Sequence, residues 1–162
     1  MTETEIIMDI FLPPQCLTSH RQPALLIARL CAVDESGSSG RTALLPGSYD
    51  LLQCCEAAAQ SVAVLMGHVG QRQQGANAAS AKGMLISLKN ARLHQAIPES
   101  GDCIMTVERI GSMPPMTMYQ AAYRDRGEQL LMEVTLQIMS TGGNVGERSE
   151  TQVRDSDEGS TA

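Results

Sequence analysis

Glu56 is the one carboxylate inside a long apolar, alanine-rich stretch, residues 51–66, and so is the first residue whose surroundings call for a chemical reason. Leu52, Cys55, Ala59 and Met66, with Leu51, Ala58, Val62 and Leu65 beside them, recur at three- and four-residue spacings around most of a helical cylinder. The pattern predicts a helix buried on most sides, with Glu56 in a partly desolvated place. An ionised carboxylate taken out of water costs several kcal/mol unless it is paired or protonated. Glu56 is therefore either a satisfied structural group or a group that does acid–base chemistry.

Other constellations are weaker. His20, His68 and His94 lie far apart, and none has a second ligand at a helical or loop spacing, so no metal site is expected. The five cysteines, Cys16, Cys31, Cys54, Cys55 and Cys103, show no paired spacing and read as reduced, buried small hydrophobes. Residues 34–40 are glycine- and serine-rich but lack the lysine and the strand-to-helix setting of a phosphate loop, so they read as a polar turn. A serine-hydrolase elbow is missing.

Composition bounds the class. A chain of 162 residues fits one domain with a sizeable core. With 43% hydrophobic but only 2% aromatic residues, that core must be built from aliphatic side chains, Met, Ala and Cys. A net charge of −6, with no basic cluster interleaved with aromatics, argues against nucleic acid as a partner. No apolar run approaches the ~20 residues that span a bilayer. The acidic start, Met1 to Glu5, lacks the basic beginning of a secretory signal. The expectation is a cytoplasmic protein with no membrane partner.

The elements that must position Glu56 follow from periodicity. Residues 24–33 and 40–45 are strand candidates separated by the polar turn, and Pro46 and Gly47 close the second. Asp50, with Gln53 three residues on, offers an N-cap and capping box for a helix ending near Gly67 or Gly70. Residues 71–81 read as a polar, mobile loop. The period then becomes two. Residues 84–93, 103–110, 116–124 and a last strand with Met132, Val134, Leu136 and Ile138 on its buried face complete an α+β fold, the sheet wrapped over one helix. Residues 1–140 form the domain. The remainder, 141–162, with five acids against two arginines, is expected to be a disordered tail.

Several phrases in this order resemble one family. Leu17, Thr18, Ser19, His20, Arg21, Gln22, Pro23, Ala24, Leu25 and Leu26 match a His-Arg-x-Pro-x-Leu-Leu phrase near the start, and Glu56 to Gln60 match Glu-Ala-x-Ala-Gln on a central helix. With Pro46 and Gly47, and the phrases at 83–93, 97–102 and 128–139, the chain is similar over roughly residues 12–140 to the hot-dog-fold 3-hydroxyacyl-(acyl-carrier-protein) dehydratases. The likeness is to their divergent branch in aryl-polyene and type II fatty-acid or polyketide clusters.

The resemblance implies a lyase that removes water from a 3-hydroxyacyl thioester carried on acyl carrier protein or coenzyme A, without a metal or other cofactor. Glu56 matches the helix carboxylate that assists the departing hydroxyl. Gly47, before a helix start whose amides would face the thioester carbonyl, and Gln60 become substrate-binding candidates. The family's catalytic histidine belongs in the loop before the helix, and residues 34–45 contain none. That leaves His20 as the candidate base or as a hydrogen-bonded turn residue. A homodimer, or a heterodimer with another hot-dog subunit, is implied. Lys89, Arg92, Arg124 and Arg126 are candidates to meet an acidic carrier. Two alternatives remain open: a hot-dog thioesterase in which Glu56 activates water, and a half-site subunit that binds acyl chains or completes a partner's site.

Overall fold

The computed structural model describes residues 14, 17–18, 24–75, 83–99 and 103–141. The helix start is fixed locally as its sequence requires. Asp50 Oδ1 accepts from the Gln53 amide at 2.8 Å, and Gln53 Oε1 accepts from the Asp50 amide at 3.0 Å, closing a capping box. From there α1 runs Leu51–Gln74. It continues past both glycines expected to end it, and the four residues 71–74 belong to it rather than to a loop. Gly67 is a packing glycine: a Cβ there would stand 1.8 Å from the Leu17 carbonyl oxygen, so the chain before the first strand crosses the helix at this point. The stop is Gly75, at φ 86°, a conformation glycine reaches at little cost.

Six strands surround this helix: β1 Ile27–Val33, β2 Ser39–Leu44, β3 Gly83–Leu93, β4 Ile104–Met113, β5 Met116–Arg124 and β6 Leu130–Ser140. They form one antiparallel sheet in the order β1-β2-β4-β5-β6-β3, so β1 and β3 are its edges. α1 touches all six. Register shifts in β1–β2, β4–β5 and β3–β6 mark bulges, which sharpen local twist and let the sheet curl over one helix. This is the hot-dog arrangement expected from the resemblance.

The core lies between sheet and helix. Met132, Val134, Leu136 and Ile138 are buried on the inner face of β6, as their alternation predicts, and meet Met105, Val107, Ala121 and Tyr123 with Ala57, Ala58, Val62 and Leu65 of α1. The outer face is not uniformly wet, because Thr135 is covered where its hydroxyl donates to Gln120 Oε1 at 2.8 Å. The turn between β1 and β2 is held by Asp34. Its carboxylate accepts from both Ser36 and Ser38 hydroxyls and from the Ser39 amide. Partial burial by itself would push its pKa up, but the bonds from Ser36, Ser39 and Ser38 outweigh it and hold the group below the usual carboxylate value. Of the expected tail, residues 141–162, all but Thr141 lie outside the described residues.

Candidate functional site

The face of α1 that carries Glu56 is the one the sheet leaves uncovered. Cys54, Cys55, Ala57, Ala58, Gln60, Ser61, Val62, Val64 and Leu65 are buried, whereas Leu52 and Glu56 are exposed and Ala59, Ala63 and Met66 half-buried. These five recur every three or four residues and form one stripe. The expectation that Glu56 is desolvated within its own chain is therefore corrected: the apolar residues around the cylinder include a strip the single chain does not bury. The reason is geometric. The sheet ends at β3, and its curl does not reach round the last part of the helix.

Between that stripe and the edge of the sheet lies a groove of about 220 Å³, lined by Glu56, Ala59, Val62, Ala63, Met66, Gly83, Leu85 and Ile138. Its walls are apolar except at Glu56. The carboxylate is aimed by Gln60, one turn along the helix, whose Nε2 donates to Glu56 Oε1 at 3.0 Å. Gln60 is itself fully buried and locked to the strand approach: it donates to the Ala24 carbonyl at 2.7 Å and accepts from the Leu26 amide at 2.7 Å. Those two backbone groups explain why β1 begins at Ile27 instead of Ala24, since the side chain of Gln60 takes the place of a strand neighbour. Gln60 thus touches the carboxylate and the backbone, and is placed to orient Glu56.

Gly47 lies half-buried on the turn before the helix, against the ring of Tyr49, whose hydroxyl donates to the Leu45 carbonyl at 2.5 Å. The Gln53 amide at the helix start is already bonded to Asp50. His20 lies outside the described residues.

The other two histidines do not line the groove. His68 is twelve residues beyond Glu56 on α1, about 18 Å of helix rise. It is buried, and its Nδ1 has no hydrogen-bond partner among the described residues. Burial, then the charge of Arg72, hold its imidazole below the ordinary histidine value, so the neutral form prevails at neutral pH. His94, just past β3, pairs with Glu133 at 3.2 Å on the outside of the sheet. Among the described residues, then, the groove carries a carboxylate and no histidine.

The cysteines in the described chain are free. Cys54, beside the start of α1, has its thiol pushed up to about 11 by burial, with Cys55 and Asp50 adding to it, which leaves it un-ionised and unreactive at neutral pH. Among the described residues no cluster of three or more His, Cys, Asp or Glu is arranged to hold a metal ion. No described helix is long and apolar enough to cross a membrane.

Of the four basic candidates, Lys89 lies mid-strand on β3, opposite Thr135, while the other three gather at one end of the sheet. Arg92 on β3 faces Glu133 in the register, Arg124 pairs with Leu130 and donates to the Glu128 carbonyl, and Arg126 follows in the β5–β6 turn. Tyr123, next to Arg124, neighbours Cys103, Tyr49 and Cys54, so this is the end at which α1 begins. Met66 and Gly83 lie at the opposite end of the groove. Sequence reasoning did not find the groove-lining residues Ala59, Ala63, Gly83, Leu85 and Ile138. Only the helical stripe of small residues through 59 and 63 carried a signal.

No protein-family profile and no curated protein matches this chain. Solved structures do. A chain of the dehydratase heterocomplex ApeI:P from Xenorhabdus doucetiae is similar with a TM-score of 0.70 and 14% identity, over 82% of this chain and 93% of that one. An uncharacterised protein from Pyrococcus horikoshii gives a TM-score of 0.56 at 10% identity, over 82% and 97% of the two chains. A sigma28-regulated virulence protein from Campylobacter jejuni gives 0.53 at 12% identity, over 82% and 99%. At these identities the shared property is the fold.

Proposed function

We propose that this hot-dog chain is a dehydratase-type subunit acting on 3-hydroxyacyl thioesters delivered by an acyl carrier protein, in fatty-acid- or polyketide-type biosynthesis. The observation that carries the reading is Glu56: a carboxylate aimed by Gln60 at the head of an otherwise apolar groove. An aliphatic chain suits the groove, and a hydroxyl on that chain suits the acid. Fold likeness to a complex described as a dehydratase supports the reaction class.

In the reaction a base removes a proton from C2. The C2–H electron pair becomes the C2=C3 bond, the C3–O bond breaks, and protonated Glu56 gives its proton to the departing hydroxyl, which leaves as water. The base is assigned to His20 or to a partner subunit. No histidine lies among the described groove residues, and His20 lies outside the described residues; a base supplied by the partner would make the chain half of a composite site.

The geometry of the edge fits that role. Among the described residues β3 is unpaired on one side and exposes Met84, Leu85, Ile86, Leu88 and Leu93, and the uncovered stripe of α1 lies beside it. A second hot-dog subunit, identical or not, pairing along β3 would cover both and close the groove. The carrier would approach the end where Arg92, Arg124 and Arg126 lie, near the head of the groove.

The purified chain, alone and with a hot-dog partner, is to be assayed with 3-hydroxyacyl, enoyl and saturated acyl thioesters on carrier protein and on coenzyme A. Reversible interconversion of 3-hydroxyacyl and enoyl forms is expected, with Glu56→Gln keeping fold and assembly while lowering turnover about 100-fold or more. Thiol release without dehydration would make the protein a thioesterase. Full turnover in a folded Glu56→Gln would remove Glu56 from the chemistry.

A further inference from the structure

We infer that Met66 and Gly83 set the length of the acyl chain that the groove accepts, a reading that rests on the function proposed above. The groove follows one stripe of α1, and from Glu56 to Met66 is ten residues, about 15 Å of helix rise. Between them Ala59 and Ala63 present only methyl groups, so the floor is low along its middle and rises at Met66. Facing Met66, Gly83 presents no side chain at all. A Cβ at Gly83 would stand 2.8 Å from Ile138 Cγ2 and 3.6 Å from Met66 Cε.

At the far end Met66, Gly83 and Ile138 come together, and a side-chain carbon at Gly83 would press on Ile138. Ile138 is a stiff, β-branched wall, while the Met66 thioether is an adjustable one. With its hydroxyl-bearing carbon at Glu56, an acyl chain lies with its tail against Met66. The groove volume of 220 Å³ corresponds to about nine carbons, on the scale by which a cavity of about 150 Å³ takes one benzene.

The test is calorimetric titration of the full chain, in whatever assembly it purifies, with straight-chain acyl-pantetheine thioesters from butanoyl to hexadecanoyl. Affinity is expected to rise about fourfold per methylene, the worth of one buried CH₂, and then to stop rising at a medium chain length. Met66→Ala moves that break to longer chains, raising affinity just beyond it about tenfold or more. Gly83→Ala moves it to shorter ones. Ala63→Leu, which fills the middle of the groove without pressing on Ile138, also shortens it and decides the matter if Gly83→Ala does not fold.

A break at the same length in Met66→Ala and Ala63→Leu overturns the inference, as does affinity indifferent to chain length in the parent protein. Dehydration with an unmoved break removes the length gate and leaves the dehydratase reading standing. A moved break with no dehydration in any assembly does the reverse.

Discussion

Gln60 shows how one side chain can serve fold and site together. Its amide spans from the backbone of Ala24 and Leu26 to the Glu56 carboxylate, so the chain entering β1 is tied through Gln60 to the acid. Removing the amide takes a partner from the part-buried Leu26 N–H and Ala24 C=O, each at a cost of up to ~1–3 kcal/mol, and removes one hydrogen bond from Glu56. Gln60→Ala is expected to lower unfolding free energy by about 2–4 kcal/mol in urea titration. It should also lower turnover. A loss below about 0.5 kcal/mol would mean that water replaces the amide at no cost.

At the scale of elements, α1 is set by what crosses it. Two of its glycines look alike in the sequence, and the structure separates them. Gly67 lies under the backbone of Leu17, with Cβ positions 1.8 and 2.7 Å from the carbonyl oxygen and carbon, whereas Gly70 has nothing within 4 Å. Alanine favours a helix over glycine by ~1 kcal/mol. Gly70→Ala is therefore expected to stabilise the protein by about 0.5–1 kcal/mol. Gly67→Ala should instead destabilise it by about 2 kcal/mol or more, since backbone must move against backbone. Thermal melts of the two variants give opposite signs; equal signs would show that the Leu17 segment does not rest on the helix.

Among the described residues, no strand follows β3 at its edge of the sheet. Edge strands of natural sheets are usually blunted by charge, proline or cover, and β3 has a lysine and an arginine only on its outer face while Met84, Leu85, Ile86, Leu88 and Leu93 are exposed. The proposed pairing of two hot-dog subunits there predicts a dimer in solution. Ile86→Lys, which puts a charge at the bulge on this edge, is expected to give a folded monomer by light scattering, with loss of turnover if the site is composite. A dimer that persists unchanged would place the subunit contact elsewhere.

Much of this architecture was written in local sequence. The Asp50–Gln53 box marked the helix start because capping depends on groups three residues apart. The two-residue period of Met132, Val134, Leu136 and Ile138 marked the buried face of β6 because strand side chains alternate whatever surrounds them. Glu56 stood out for a similar reason, as a charge in an apolar helical pattern. What the pattern could not decide is which apolar residues face protein and which face a groove, since Ala58 and Ala59 are the same side chain on different sides of one cylinder. The sheet's curl and its end at β3 made that choice. Likewise, only the crossing of α1 by Leu17 gave Gly67 its purpose, and only the meeting of residues 24–26 with the helix turned Gln60 into the group that aims Glu56. These contacts join positions thirty or more residues apart, or a backbone to a missing side chain, and no local periodicity records them.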